Sequence, residues 1–187
     1  MSFRFITYFM SCLLICTQAS TTSPSLASPQ PSGLVDLGYA KHVPTYMNTT
    51  TSGGIVAIYK NIRFGNPPTG NLRFRRPNTD LPTIDGIQTG MLPRDTSCIS
   101  SAPATIPFPD INGTTWGHED CLFLDVYTPE GVKPGDSVPV LHWWYGSAYA
   151  FGNKEFLFNP MGLFDQMFKL KEEKFILVAH NYRFDSD

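Results

Sequence analysis

Apolar and polar residues alternate most cleanly in CLFLDVYTP, Cys121 to Pro129. Leu122, Leu124 and Val126 share one face there, and Phe123, Asp125 and Tyr127 the other, which is the period of a strand. GGIVAIYKNIRF, Gly53 to Phe64, sets β-branched and aromatic residues after two glycines and predicts a second strand. SVPVLHWWY, Ser137 to Tyr145, barely alternates. Its continuous apolar run is the pattern of a strand buried on both faces, and KFILVAHNY, Lys174 to Tyr182, repeats it. Between them, MGLFDQMFKLKEEK, residues 161–174, spaces Leu163, Met167 and Leu170 at helical intervals with Lys and Glu opposite. Strand, loop, helix, strand is a βαβ unit. Strands 137–145 and 175–181 are therefore expected to be parallel, with a right-handed crossover.

Elsewhere the pattern fades. NPPTGNLRFRRP must turn at its prolines and glycine, and residues 77–118 carry many Pro, Gly, Thr and Ser with little periodicity. A long irregular stretch of this kind calls for a staple. Residues 20–33, rich in Ser, Thr and Pro, read as a disordered or extended lead-in.

The stretch HWWYGSAYAFG, His142 to Gly152, straddles the end of one predicted buried parallel strand. Open α/β sheets bind ligands just past such ends. The small residues Gly146, Ser147 and Ala148 would let main-chain N–H groups face a bound oxygen. They would equally let the chain turn beneath two large rings, and composition leaves both readings open.

The chain has 187 residues, 42% hydrophobic and 16% charged, with a net charge of −2. That describes one globular domain or part of a larger one. No basic stripe points to nucleic acid; the small cluster Arg73, Arg75 and Arg76 reads as solvated or ion-paired. At the N-terminus, Arg4 precedes an apolar run from Phe5 to Cys16 and small residues up to Ala19. Residues 1–19 thus read as a secretory signal peptide, too short to span a membrane comfortably, and the remainder as extracellular. Cys12 and Cys16 fall inside that signal. Cys98 and Cys121 remain, an even pair in an oxidising route, which predicts one disulfide. Asn48-Thr49-Thr50 and Asn112-Gly113-Thr114 are N-glycosylation sequons. No histidine sits at ligand spacing from the cysteines, so neither metal nor cofactor is expected.

YKNIRFGNPPTGNLRFRRP, EDCLFLDVYTP and PVLHWWYGSAYAFG, in that order, resemble the N-terminal region of the type B carboxylesterase/lipase family, which includes the cholinesterases. Fungal secreted esterases are nearest in character. The resemblance runs from about Val35 to Arg183. It implies the N-terminal portion of an α/β-hydrolase fold: a mixed sheet with an early antiparallel section and one parallel βαβ unit. It also implies a carboxylic ester substrate. Cys98 and Cys121 match the family's first disulfide. Arg73 and Glu119 match an arginine–glutamate pair, expected here to be buried or half-buried and to cost about 3–5 kcal/mol if broken from one side. Gly146-Ser147-Ala148 fall on the oxyanion loop, where Ser147 and Ala148 would give backbone N–H groups to the tetrahedral intermediate. Glycine is usual at both donor positions. Ser147 is the larger departure, strained by about 1–3 kcal/mol if its φ is positive.

The resemblance also implies a G-x-S-x-G elbow followed by an acid and a histidine. Gly135-Asp136-Ser137-Val138-Pro139 lacks the last glycine and precedes a strand. His42, His118, His142 and His180 then have no nucleophile to serve and read as structural or solvated. The chain alone is expected to be inactive. Three readings stand: the N-terminal part of a longer secreted esterase, a short binding or decoy module, and a catalytically dead esterase-like adhesion module. On the first, Val140, Trp144, Ile176 and Val178 await covering elements, and the isolated chain should aggregate.

Overall fold

The structure, a computed structural model, describes residues 32–105, 107, 110–171 and 173–184. The signal-peptide reading of residues 1–19, and the lead-in up to residue 31, lie outside the described residues.

Five strands make the central sheet, in the order β3-β4-β8-β10-β9. They are β3 (Tyr46–Thr49), β4 (Ile55–Arg63), β8 (Phe123–Pro129), β9 (Val140–Trp143) and β10 (Ile176–His180). β3, β4, β8 and β10 pair antiparallel in turn. β10 and β9 are parallel, with Ile176 opposite Val140 and Ala179 opposite Trp143. The mixed α/β architecture is therefore the one the sequence implies: an antiparallel section first, then one βαβ unit. Two-residue strands β1 (Val35–Asp36), β2 (Lys41–His42) and β5 (Ile87–Gln88) form a small second sheet. β6 (Ser100–Ser101) and β7 (Thr115–Trp116) pair as a ribbon.

Helix α1 (Met161–Leu170) crosses from β9 to β10. Lys171 adopts a left-handed conformation and returns its N–H to the carbonyls of Met167 and Phe168, so the helix stops short of residue 174. The face it buries differs from the one expected. Phe164 and Met167 enter the core with Val56, Ile58, Tyr127, Leu177 and Ala179, whereas Leu163 and Leu170 are exposed. The sheet is met by the i, i+3, i+4 row Phe164, Met167, Phe168, about a quarter-turn from the leucine row. The close approach requires Gly54: a Cβ there would sit 2.2 Å from the ring of Phe168. Phe175, entering β10, stacks on Phe164 with ring centroids 4.8 Å apart.

A further expectation is corrected. β9 is an edge strand: its four residues are exposed, Val140 at 60%, and Trp144 beyond it is 64% exposed. Ile176 and Val178, on the inner strand β10, are half-buried. The apolar run signals two faces that need burial, but no described strand pairs with β9 on its outer edge. On β8, the face carrying Phe123, Asp125 and Tyr127 is the more buried one, and the Asp125 side chain is fully enclosed. No described helix is long and apolar enough to cross a membrane.

Candidate oxyanion loop and its supports

β9 delivers the chain to Tyr145 and the Gly146–Gly152 loop at the C-terminal end of the parallel pair. Ser147, Ala148 and Tyr149 all have positive φ, at 113°, 54° and 60°. Three consecutive side-chain-bearing residues in that region are costly, at about 1–3 kcal/mol each. Among the described residues, no acceptor is hydrogen-bonded to the N–H of Ser147 or Ala148. Ser147 is half-buried and Ala148 exposed.

The strain is held by rigid flanks. Before the loop, the rings of Tyr145 and Tyr182 stack at 4.4 Å, and Tyr182 Oη donates to the Tyr145 carbonyl at 2.7 Å. Within it, Ala150 N–H closes a turn onto the Ser147 carbonyl, and the Ala150 carbonyl accepts from Ser101 N–H. After it, Asn153 Nδ2 donates to Ser97 Oγ at 2.7 Å, and Lys154 N–H donates to Asn181 Oδ1 at 2.9 Å. Asn181, wholly buried just past β10, spends its Nδ2 on the carbonyls of Thr96 and Cys121. One amide thus links the loop's exit, the end of β10 and the disulfide region.

Beneath this lies a charge network, built on the enclosed Asp125 and Lys154, that the sequence reading missed. Lys154, 1% exposed, places Nζ 3.1 Å from Asp125 Oδ1 and 2.8 Å from Glu155 Oε1. Lys60 on β4 reaches the same two carboxylates at 3.6 and 2.6 Å. Asn61 N–H donates to Asp125 at 2.8 Å. Two cations thus face two anions. Burial pushes the Asp125 carboxyl above its ordinary range, against the pull of Lys154, the Asn61 N–H and Lys60. Burial alone would raise Glu155 too, but Lys154 and Lys60 outweigh it and hold the carboxyl low. The only available sequence signal was an aspartate inside an otherwise apolar strand.

Cys98 and Cys121 are joined, with Cα atoms 4.9 Å apart. Gly117 packs against this bridge at φ 93°, where a Cβ would lie 2.3 Å from the Cys98 carbonyl. Arg73 and Glu119 form an ion pair in which Glu119 is half-buried but Arg73 is 56% exposed, so the pair is a weaker anchor than expected. That part falls to Asp120. It takes a bidentate grip from Arg63 at 2.6 and 2.9 Å and a third contact from Arg94 at 2.7 Å, with Arg63 lying over the Phe123 ring. Despite partial burial, the two guanidiniums hold the Asp120 carboxyl below its usual value.

The histidines separate. His42 is buried with no partner on Nε2, and burial lowers its pKa. His118 bridges to Cys98 and is exposed. His142 and His180 face each other across β9 and β10, Nε2 to Nδ1, at 2.8 Å, with Trp144 edge-on to His180. Burial and the neighbouring His142 lower the His180 pKa. Trp144 and His180 line a groove of about 1120 Å³ beside the disulfide, together with Phe64, Phe74 and Tyr182; Gly146–Ala148 do not. Asn48 lies exposed on edge strand β3. Asn112 is half-buried in the turn before β7.

A family model, the carboxylesterase family, matches residues 44–186, which hold the main sheet, the disulfide and the loop. The chain belongs to the carboxylesterase family. It is 35% identical over 138 residues to Acetylcholinesterase 1 of Caenorhabditis elegans, covering 71% of this chain and 21% of that protein. It is 32% identical over 155 residues to a secreted triacylglycerol lipase of Gibberella zeae, at 75% and 26% coverage. It is 30% identical over 191 residues to a carboxylesterase of Penicillium expansum, at 80% and 33%. The chain therefore spans a fifth to a third of the length of these relatives.

Proposed function

We propose that the chain is the N-terminal part of a secreted carboxylic ester hydrolase, and that Gly146–Ala148 form its oxyanion loop. The observation that carries this is the pair of adjacent N–H groups, on Ser147 and Ala148, with no described acceptor at the C-terminal end of a parallel strand. Such donors, fixed before reaction, stabilise the negative oxygen of a tetrahedral intermediate without reorganising. The Tyr145–Tyr182 stack and the Lys154–Asn181 bond supply that fixity. The nucleophile and its base are assigned to residues outside these 187, so the chain by itself turns over no ester.

The test grafts residues 44–186 into the Penicillium carboxylesterase in place of the matching segment. The folded chimera should hydrolyse short-chain p-nitrophenyl esters. Replacing the Ala148 amide by a backbone ester, which deletes the N–H donor and leaves φ free, should lower kcat about 10²- to 10³-fold with little change in KM. Ala148→Gly keeps the donor and should keep the rate. Equal rates for all three folded proteins would sink the assignment. So would phosphonate-sensitive ester hydrolysis by the 187-residue chain alone. The binding- or adhesion-module reading draws on the exposed Val140, Leu141, Trp143 and Trp144. A soluble, cooperative, inactive monomer of 187 residues would select it.

A further inference from the structure

We propose that Asn48 carries an N-linked glycan whose role is to shield the open β3 edge of the main sheet. The inference builds on the secretory reading of residues 1–19. Among the described residues β3 pairs with β4 alone, so its outer side presents backbone N–H and C=O groups with no described partner. Its sequence is YMNT, with Tyr46 47% and Met47 60% exposed. Edges of this kind are usually blunted by charge, proline or a bulge. β3 has no charge and no proline, and its register with β4 runs unbroken from Tyr46–Ile58 to Thr49–Ile55. It does have a sequon, Asn48-Thr49-Thr50, in the middle of the strand.

The Asn48 side chain is exposed and makes no hydrogen bond among the described residues, so a glycan on Nδ2 displaces no contact. Thr50 is buried in the folded chain, bonded to Ser52 and to Gly54 N–H. Transfer acts on the extended chain before folding, so that burial does not compete. Nδ2 attacks the anomeric carbon of a lipid-diphosphate-linked oligosaccharide. The new C–N bond replaces the C–O bond to diphosphate, the lipid diphosphate leaves, and Nδ2 loses one proton. Asn112 is the weaker candidate, being half-buried in its turn and already engaged.

The full chain is expressed with its own leader in a eukaryotic secretory host. Peptide mapping after enzymatic deglycosylation, which leaves Asp at an occupied asparagine, should mark Asn48. Light scattering should show Asn48→Gln aggregating several-fold faster than the glycosylated protein. Asn48→Lys, which blunts the same edge by charge, should restore most of the difference. Luminal protein with Cys98 and Cys121 linked but Asn48 unmodified overturns the site. Equal aggregation of Asn48→Gln and glycosylated protein overturns the shielding role. If the native leader fails, residues 20–187 behind an unrelated leader put Asn48 to the same two tests, so failure of the secretory reading is scored separately.

Discussion

β9 and the irregular stretch between β5 and β8 exchange the places their sequences suggest. VPVLHWW is a nearly continuous apolar and aromatic run, yet every residue of β9 is exposed. Residues 89–121 are rich in Ser, Thr, Pro and Gly, yet they bury Thr96, Ser97, Cys98, Ser100 and Cys121. β9 is held by one parallel ladder and by the His142–His180 contact. The irregular stretch is held by a disulfide, the Asn181 amide and the Asp120 carboxylate. Hydrophobicity reports what a strand needs covered. Specific polar bonds decide what stays in place when regular structure is absent.

The sharpest way to break that contrast is at the charge network, where polar bonding is most deeply enclosed. Asp125→Ala leaves Lys154 buried against a single shared carboxylate, Glu155. Removing one partner of a buried ion pair should cost about 3–5 kcal/mol, read by urea unfolding. Replacing Leu141 on β9 by Ala should cost far less, because that side chain is already 47% exposed. Similar costs at the two positions would mean that β9 is as well packed as β8.

Acid should act next, through His180 on β10 beside β9 and through His42 on β2. Burial lowers the His42 pKa, and burial with His142 lowers that of His180. A histidine whose folded pKa lies below its unfolded value binds more protons when unfolded. Stability is then fully present above about pH 6.5, the unfolded value, and is lost as pH falls towards the folded pKa. The unfolding midpoint should therefore drop on acidification below neutrality, and His42→Gln should flatten the dependence. A midpoint that rises over the same window would contradict the buried, neutral assignment of His42.

Which of these features could be read from sequence follows from range. The strands and the βαβ unit rest on local periodicity and the antiparallel section on the family resemblance, and both form as expected. The helix face missed because Leu163 and Leu170 scored as well as Phe164 and Phe168; only Gly54, more than a hundred residues away in sequence, selects between the rows. The His142–His180 pair depends on parallel register, which no local pattern encodes. The partners of Asp125 and Asp120 come from β4 and from loops on either side, so spacing could not show them. Gly146, Ser147 and Ala148 stood out by composition past a predicted strand, and the family resemblance gave them a role; that φ is positive at Ser147 and Ala148 needed coordinates.

The smallest expected effect sharpens the comparison inside the irregular stretch itself, where Glu119 and Asp120 are neighbours in sequence. Arg73–Glu119 is a single contact with a mostly solvated guanidinium. Exposed pairs of that kind are worth about 0.2–1 kcal/mol. Asp120 binds two arginines, one of them bidentate and 18% exposed, and Arg63 also covers the Phe123 ring. Arg73→Ala should therefore shift the unfolding midpoint marginally, by less than Asp120→Ala does. Raising salt should erase the Arg73→Ala effect and spare most of the other, because screening acts on solvated charges first. If Arg73→Ala proved the more damaging and stayed so at high salt, the motif pair would be the anchor, and Asp120 a bystander.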